Sequence, residues 1–374
     1  MKRRGCRIVS WLVGGALLLC IVAAGVSGLT NLYLPRGPAR LDRLDDLDKA
    51  RLAESLHLRE ALGEATWPGL GQADIPLVIW NREHSFLIGF PQAPAGWEEV
   101  PDDTFAGRPY YRQRTHDPQN FAVQIDGRWA ASMATKHETD LAFREQFQQS
   151  LPPILKQIFP YRLLIFTSET QITAVLHESF HVYQAAVAPA LFAAADQVYG
   201  QADRYWELDA TMHASWTAEI ELLVAAAQAE TDDQSRELAR QFLERRAQRR
   251  AGLAPALADY ERKLEWLEGL AKYAELESWR QAATSADYAP VEALSADPDF
   301  RAYRNFEQHS QQELNQMRRQ ATRAGEVRFY YTGLVQGLVL DRLLPGWKAR
   351  ALGEEMYLED LLHEAVGRTG AAER

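Results

Sequence analysis

Cysteine is all but missing from this chain of 374 residues, and the only two, Cys6 and Cys20, sit at its N-terminal end. Residues 30–374 thus have neither a disulfide framework nor thiolate metal ligands, and their stability must come from an apolar core. Such a core is attainable, because a domain of roughly 300 residues buries about three quarters of its surface. Basic charge is also in deficit. Without Lys2, Arg3, Arg4 and Arg7 the chain carries 37 basic and 51 acidic residues, a net of −14. That balance excludes nucleic acid and anionic lipid as electrostatic partners. Internal repeats and low-complexity segments are absent as well.

Charge is missing altogether from Ile8 to Leu29, a run of 22 residues preceded by four basic ones. As a helix it is long enough to cross about 30 Å of hydrocarbon, and the basic cluster should stay cytoplasmic. The reading is a cytoplasmic tail over 1–7, a transmembrane signal anchor over 8–29, and an extracytoplasmic remainder: a single-pass protein of the cell membrane. Cleavage as a signal peptide near Ala23-Ala24-Gly25 is the competing reading.

Residues 37–63 place Leu41, Leu44, Leu47, Leu52, Leu56 and Leu62 among alternating charges, the pattern of an amphipathic helix. Within a juxtamembrane segment over 30–70, it is expected to cover the domain that follows rather than form a coiled coil. From 75 to 135 the patterning becomes strand-like. Short runs at Pro76–Trp80, Ser85–Phe90, Pro109–Arg114, Asn120–Ile125 and Arg128–Ala134 are broken by Gly, Pro and Asp, and Asp126-Gly127 is a strong hairpin signal. Helical patterning then dominates. Arg240, Arg245, Arg246, Arg249 and Arg250 read as a solvated helix face. The fold class expected for 75–367 is α+β, mostly helical, with a small mixed sheet ahead of the helix described next.

That helix carries His177-Glu178-Ser179-Phe180-His181. The run Tyr161–Phe166 reads as a buried strand before it, Ser168 with Gln171 as its capping box, and Pro189 as its limit. His177 and His181 are four residues apart, so they share one face about 6 Å apart along the axis. Their imidazoles can reach one zinc ion at about 2.0–2.1 Å. Glu178, beside the first histidine, points near the same cavity and suits a general base acting on a metal-activated water. A third ligand has to be His, Asp or Glu. Candidates in the sequence are Glu268, Glu219, Glu221 and His213, with Glu261, Glu265, Glu275 and Glu277 read as a solvated face.

Glu268-Gly269-Leu270-Ala271-Lys272-Tyr273-Ala274-Glu275 resembles the Glu-Gly-[Phe/Leu]-Ala-x-Tyr-x-Glu segment of the gluzincin metallopeptidases, in which the first Glu binds zinc. The resemblance implies a zincin-like fold with Glu268 as third ligand. Gly269 would let two helices approach closely. Two departures stand out: 86 residues separate His181 from Glu268, and no Met-Glu-Asn occurs, so nothing points to an aminopeptidase. The apolar helix over 328–348 resembles the C-terminal helix of gluzincin-like proteins, where a tyrosine near the start faces the metal. Tyr331 rather than Tyr330 is expected there, on the side of Leu334, Val335, Leu338 and Val339, as an oxyanion donor. Gly333 and Gly337 suggest close helix packing. The expectation is a zinc-dependent peptidase acting on a peptide or protein, with oligomeric state open. A non-catalytic, zinc-stabilised peptide-binding or envelope protein is the alternative.

Overall fold

The computed structural model describes residues 22, 25–32, 34, 37–201, 205, 210–323, 325–354 and 356–367. Most of the expected anchor over 8–29 therefore lies outside the described residues, although 25–31 are helical. Among the described residues no helix is long and apolar enough to cross a membrane.

Helix α1, Asp46–Thr66, opens on an Asp45 cap whose carboxylate accepts from the Asp48 amide at 2.7 Å. It starts later than residue 37 and packs into the domain on the helix that carries His177 and His181, with Leu52 and Leu58 buried. Six strands follow: β1 Leu77–Trp80, β2 His84–Ile88, β3 Glu98–Glu99, β4 Tyr111–Arg114, β5 Phe121–Ile125 and β6 Arg128–Ala134. Their order is β3-β4-β2-β1-β6-β5, with β1 and β6 parallel and the other pairs antiparallel. Asp126 and Gly127 both take positive φ, +48° and +75°, as a type I′ turn requires, which fixes Ile125 opposite Arg128 and Phe121 opposite Ser132. Strand alternation gives the sheet two buried faces. Leu77 and Ile79 enter the main core, while Val78 and Leu87 join Trp97 and Tyr111 in a smaller cluster.

Helices α2 (Lys136–Ser150) and α3 (Pro153–Ile158) lead to a 3₁₀ turn at Tyr161–Leu164. Here the expected strand does not form. The run follows Pro160, Leu163 donates back to the Pro160 carbonyl, and the Tyr161 amide is taken by Asn31, so its polar groups close locally. Helix α4, Ser168–Val187, begins where expected but without the capping box. Ser168 Oγ instead binds Asp297 at 2.7 Å, and the Gln171 amide donates to the Ala134 carbonyl at 2.7 Å, tying the helix start to its neighbours.

The described residues beyond α4 are mostly helical: α5 Pro189–Asp196, α6 Ala210–Ala227, α7 Asp232–Arg250, α8 Pro255–Leu264, α9 Leu270–Thr284, α10 Phe306–Gln320, α11 Val327–Leu343, α12 Trp347–Gly353 and α13 Leu358–Gly367. Between α8 and α9 the chain stays helical through a π turn, Glu265–Gly269. The core is centred where Trp67 meets Phe180, Tyr273 and Trp347 edge-on, with centroids 4.9, 6.1 and 5.3 Å away. The protein is thus α+β, mostly helical, with one small mixed sheet before α4.

The arginine run departs from its expected solvated face. Arg246 and Arg249 point inward, and Arg246 forks onto Glu265 at 2.6 and 2.7 Å while Arg249 binds Glu219 at 2.6 Å and Glu261 at 2.6 Å. Positions three and four apart share a helix face, so these arginines and glutamates neutralise one another inside the core. Glu261 and Glu265 are accordingly buried rather than solvated.

Candidate metal centre

Two elements bring the expected ligands together. Helix α4 presents His177 and His181 from adjacent turns, their rings 4.9 Å apart and nearly perpendicular, and the π turn presents Glu268. Inserting one extra residue into a helical turn rotates the side chains that follow, and such turns recur at functional sites. Glu268 Oε2 lies 3.4 Å from His177 Nε2 and 3.3 Å from His181 Nε2. All three side chains are buried, and their ligand atoms lie within 4.8 Å of one another.

Several features fit this trio to a zinc ion. A tetrahedral site with bonds of about 2.05 Å has an edge of about 3.3 Å, close to the separation of Glu268 from each imidazole. His181 Nε2 is buried and has no hydrogen-bond partner. Both outward nitrogens are engaged: His181 Nδ1 lies 3.0 Å from the side-chain oxygen of Gln184, and His177 Nδ1 lies 3.3 Å from Glu275 Oε2, an ion-pair contact without ideal hydrogen-bond alignment. Such outer partners turn Nε2 toward the centre as the free donor. Gln184 also donates to the carbonyls of Trp266 and Leu267 at 2.9 and 3.1 Å, clamping the widened π turn to α4.

The electrostatics ask for a cation. Burial would lower the His177 pKa, but contacts with Glu268 and Glu275 outweigh it and push it up to about 10. Burial likewise opposes ionisation of Glu268, and the two imidazoles more than reverse this. Glu275 is held ionised despite burial by Lys272, 2.8 Å away, which also binds Glu313 at 2.7 Å. Glu178 is pushed up to about 7, by burial first; the imidazoles pull it down, and Glu268 and Glu275 push it up.

A cleft of about 440 Å³ opens on the trio, with Glu178, Phe121, Tyr199 and Tyr330 in its wall. Phe121, on β5, packs its ring 4.6 Å from that of His181. Asp196 and Glu326 add negative charge, and no Lys or Arg is among the described lining residues.

The tyrosine assignment is corrected. Tyr330 stacks on His177, centroids 5.8 Å apart and planes 9° apart, and its hydroxyl meets Glu268, whose charge together with burial raises the phenol pKa. Tyr331 turns away, its ring 5.9 Å from Lys272 Nζ. The buried stripe of α11 was a misleading guide, because the site lies beside that stripe at the first turn. Tyr199, which donates to Glu268 Oε1, escaped sequence reasoning entirely. The rival ligands are committed elsewhere: Glu219 to Arg246 and Arg249, Glu221 to Arg318 at 3.0 Å, and His213 lies outside the cluster.

No protein-family model, curated protein or solved structure matches this chain.

Proposed function

We propose that the protein is a membrane-anchored, zinc-dependent peptidase of the zincin type, with its catalytic domain outside the cytoplasm. The observation that carries this reading is an N₂O ligand set, His177, His181 and Glu268, open on one side to a cleft that Glu178 also lines. A purely structural zinc site closes its fourth position with protein and has no use for a neighbouring base.

When bound, zinc would supply Lewis acidity, activating a water near neutral pH and polarising the scissile carbonyl. The residues of the chain supply the rest. β5 is an edge strand, and an extended peptide laid along its cleft end would meet Gln119, Asn120 and Phe121. The Glu178 carboxylate takes a proton as water oxygen adds to the carbonyl carbon, and returns it to the amide nitrogen as the C–N bond breaks. Burial raises its pKa, the direction that favours return of the proton to the leaving nitrogen. The Tyr330 hydroxyl stands beside Glu268 and offers a hydrogen bond to the oxyanion that develops. Tyr199 and Gln184 hold Glu268 and His181 in place.

The test is Glu178→Gln, assayed against a proteome-derived peptide library with zinc content measured in parallel. Zinc should be retained and hydrolysis should fall by about 10²–10⁴, the usual contribution of a general base. Undiminished hydrolysis would refute the mechanism. Retained zinc with no hydrolysis by the unsubstituted protein would favour a zinc-stabilised peptide-binding protein instead.

A further inference from the structure

Helix α3, Pro153–Ile158, buries none of its six residues. A helix this short does not persist in water on propensity alone; it needs a surface to pack on. Ile154 is 77% exposed, and Leu163, in the following 3₁₀ turn, is 76% exposed. Leu155 and, on α2, Phe143 also stand in the open, and Phe143 packs its ring 5.0 Å from Phe166. Scattered apolar side chains are ordinary on a surface, but four large ones within 21 residues, around a helix that buries nothing, call for a partner.

The chain itself indicates what covers it. The uncharged run Ile8–Leu29 ends just before Asn31, and Asn31 is tied to this face twice, donating to the Phe159 carbonyl at 2.9 Å and accepting from the Tyr161 amide at 2.8 Å. Leu29 and Leu32, flanking the tie, are 62% and 77% exposed. The end of the run and the bare face of α3 are therefore held side by side. Phe159 and the buried Tyr161 pack ring to ring at the junction, 5.3 Å apart, and give it a firm base.

We infer that α3 and the Tyr161–Leu164 turn rest in the interfacial layer of the bilayer, seating the domain on the membrane instead of leaving it on a flexible tether. The occupant is the lipid itself, entered by Ile154, Leu155 and Leu163. The acidic balance of the chain makes apolar insertion, not attraction to anionic headgroups, the binding force. This rests on the anchor in the proposed function and is independent of zinc. It has a consequence for the site: α4 begins four residues after the turn, and His177 lies nine residues into α4, about 14 Å of helix. Substrate bonds near the membrane surface are thus within reach.

The experiment uses the full chain in phosphatidylcholine vesicles, with a nitroxide placed at single cysteines and its accessibility to oxygen compared with that to a water-soluble nickel chelate. Cys20 reports on the anchor in Cys6→Ser protein. Ile154→Cys and Leu163→Cys report on the face, and Glu244→Cys, at an exposed position of α7, is the water reference; these three carry Cys6→Ser and Cys20→Ser. Labels at 154 and 163 should favour oxygen severalfold over the label at 244, as the label at 20 does. Water-like values at 154 and 163 with lipid-like values at 20 would overturn the seating while leaving the anchor intact. Water-like values at 20 would overturn the anchor itself. Protection from both reagents, with spin–spin broadening between labels at 163, would show a second copy as the occupant and also overturn the inference.

Discussion

Gly269 and Gly333 lie back to back where the π turn meets α11, and a Cβ on either would fall inside van der Waals contact with the backbone of the other. The approach is closer than any other residue pair would permit, and it fixes the height at which Glu268 stands against α4. Gly333→Ala should therefore destabilise the protein by about 1–3 kcal/mol, because the colliding atoms are backbone and cannot rotate away. Gly337→Ala should cost less, since its nearest neighbours are the Tyr273 and Trp347 side chains. Thermal unfolding of the detergent-solubilised variants checks the order.

Gln184 is expected to matter to the metal more than to the fold. Its side chain both accepts from His181 and donates to the π turn, so Gln184→Ala frees the ligand imidazole and loosens the turn. Zinc affinity should fall by about 10–100-fold, the usual effect of losing an outer partner. Competition with a chromophoric chelator measures it; an unchanged affinity would show that packing alone orients His181.

Tyr330→Phe should lower kcat by about 10²–10³, the loss of one oxyanion donor, with zinc content unchanged. Tyr331→Phe should leave kcat close to the parent value, because that ring lies against Lys272. Steady-state kinetics on one cleaved peptide compares the two.

Asp48 gives a pH signature separate from the candidate metal centre. Its carboxyl is pushed up to about 7, by burial first and by Asp45 next, against the pull of Arg51 and Lys136. The folded state holds this proton more tightly than the unfolded state does. The associated stability is therefore complete below about pH 4 and lost as pH rises through about 7. Asp48→Asn removes the titration, so its stability relative to the parent should grow between pH 5 and pH 8, by on the order of 2 kcal/mol. Urea unfolding at both pH values reads the difference; an advantage that does not grow with pH would show the carboxyl ionised throughout.

Much of this architecture could be read from local pattern. All five strand runs at 76–134 appear within a few residues of their expected bounds, because alternation and the Asp126-Gly127 turn are local signals. The same holds for α4 and for the glycines of the π turn and α11. What escaped depended on tertiary context. Tyr161–Leu164 is apolar enough for a strand but lacks a partner edge, and its exposed Leu163 gives no sign in sequence of what it faces. The inward turn of Arg246 and Arg249 depends on glutamates from two other helices. Tyr199 reaches Glu268 across 69 residues of sequence, with no motif to announce it.

The central claim is that His177, His181 and Glu268 hold one zinc ion, and metal content tests it most directly. Purified protein dialysed against metal-free buffer should retain about one zinc per chain by mass spectrometry, as expected for three protein ligands with ordered outer partners. His177→Ala, His181→Ala and Glu268→Ala should each lose most of it. Zinc-free parent protein that does not take up the ion when supplied, or Glu268→Ala protein that keeps a full equivalent, would contradict the account.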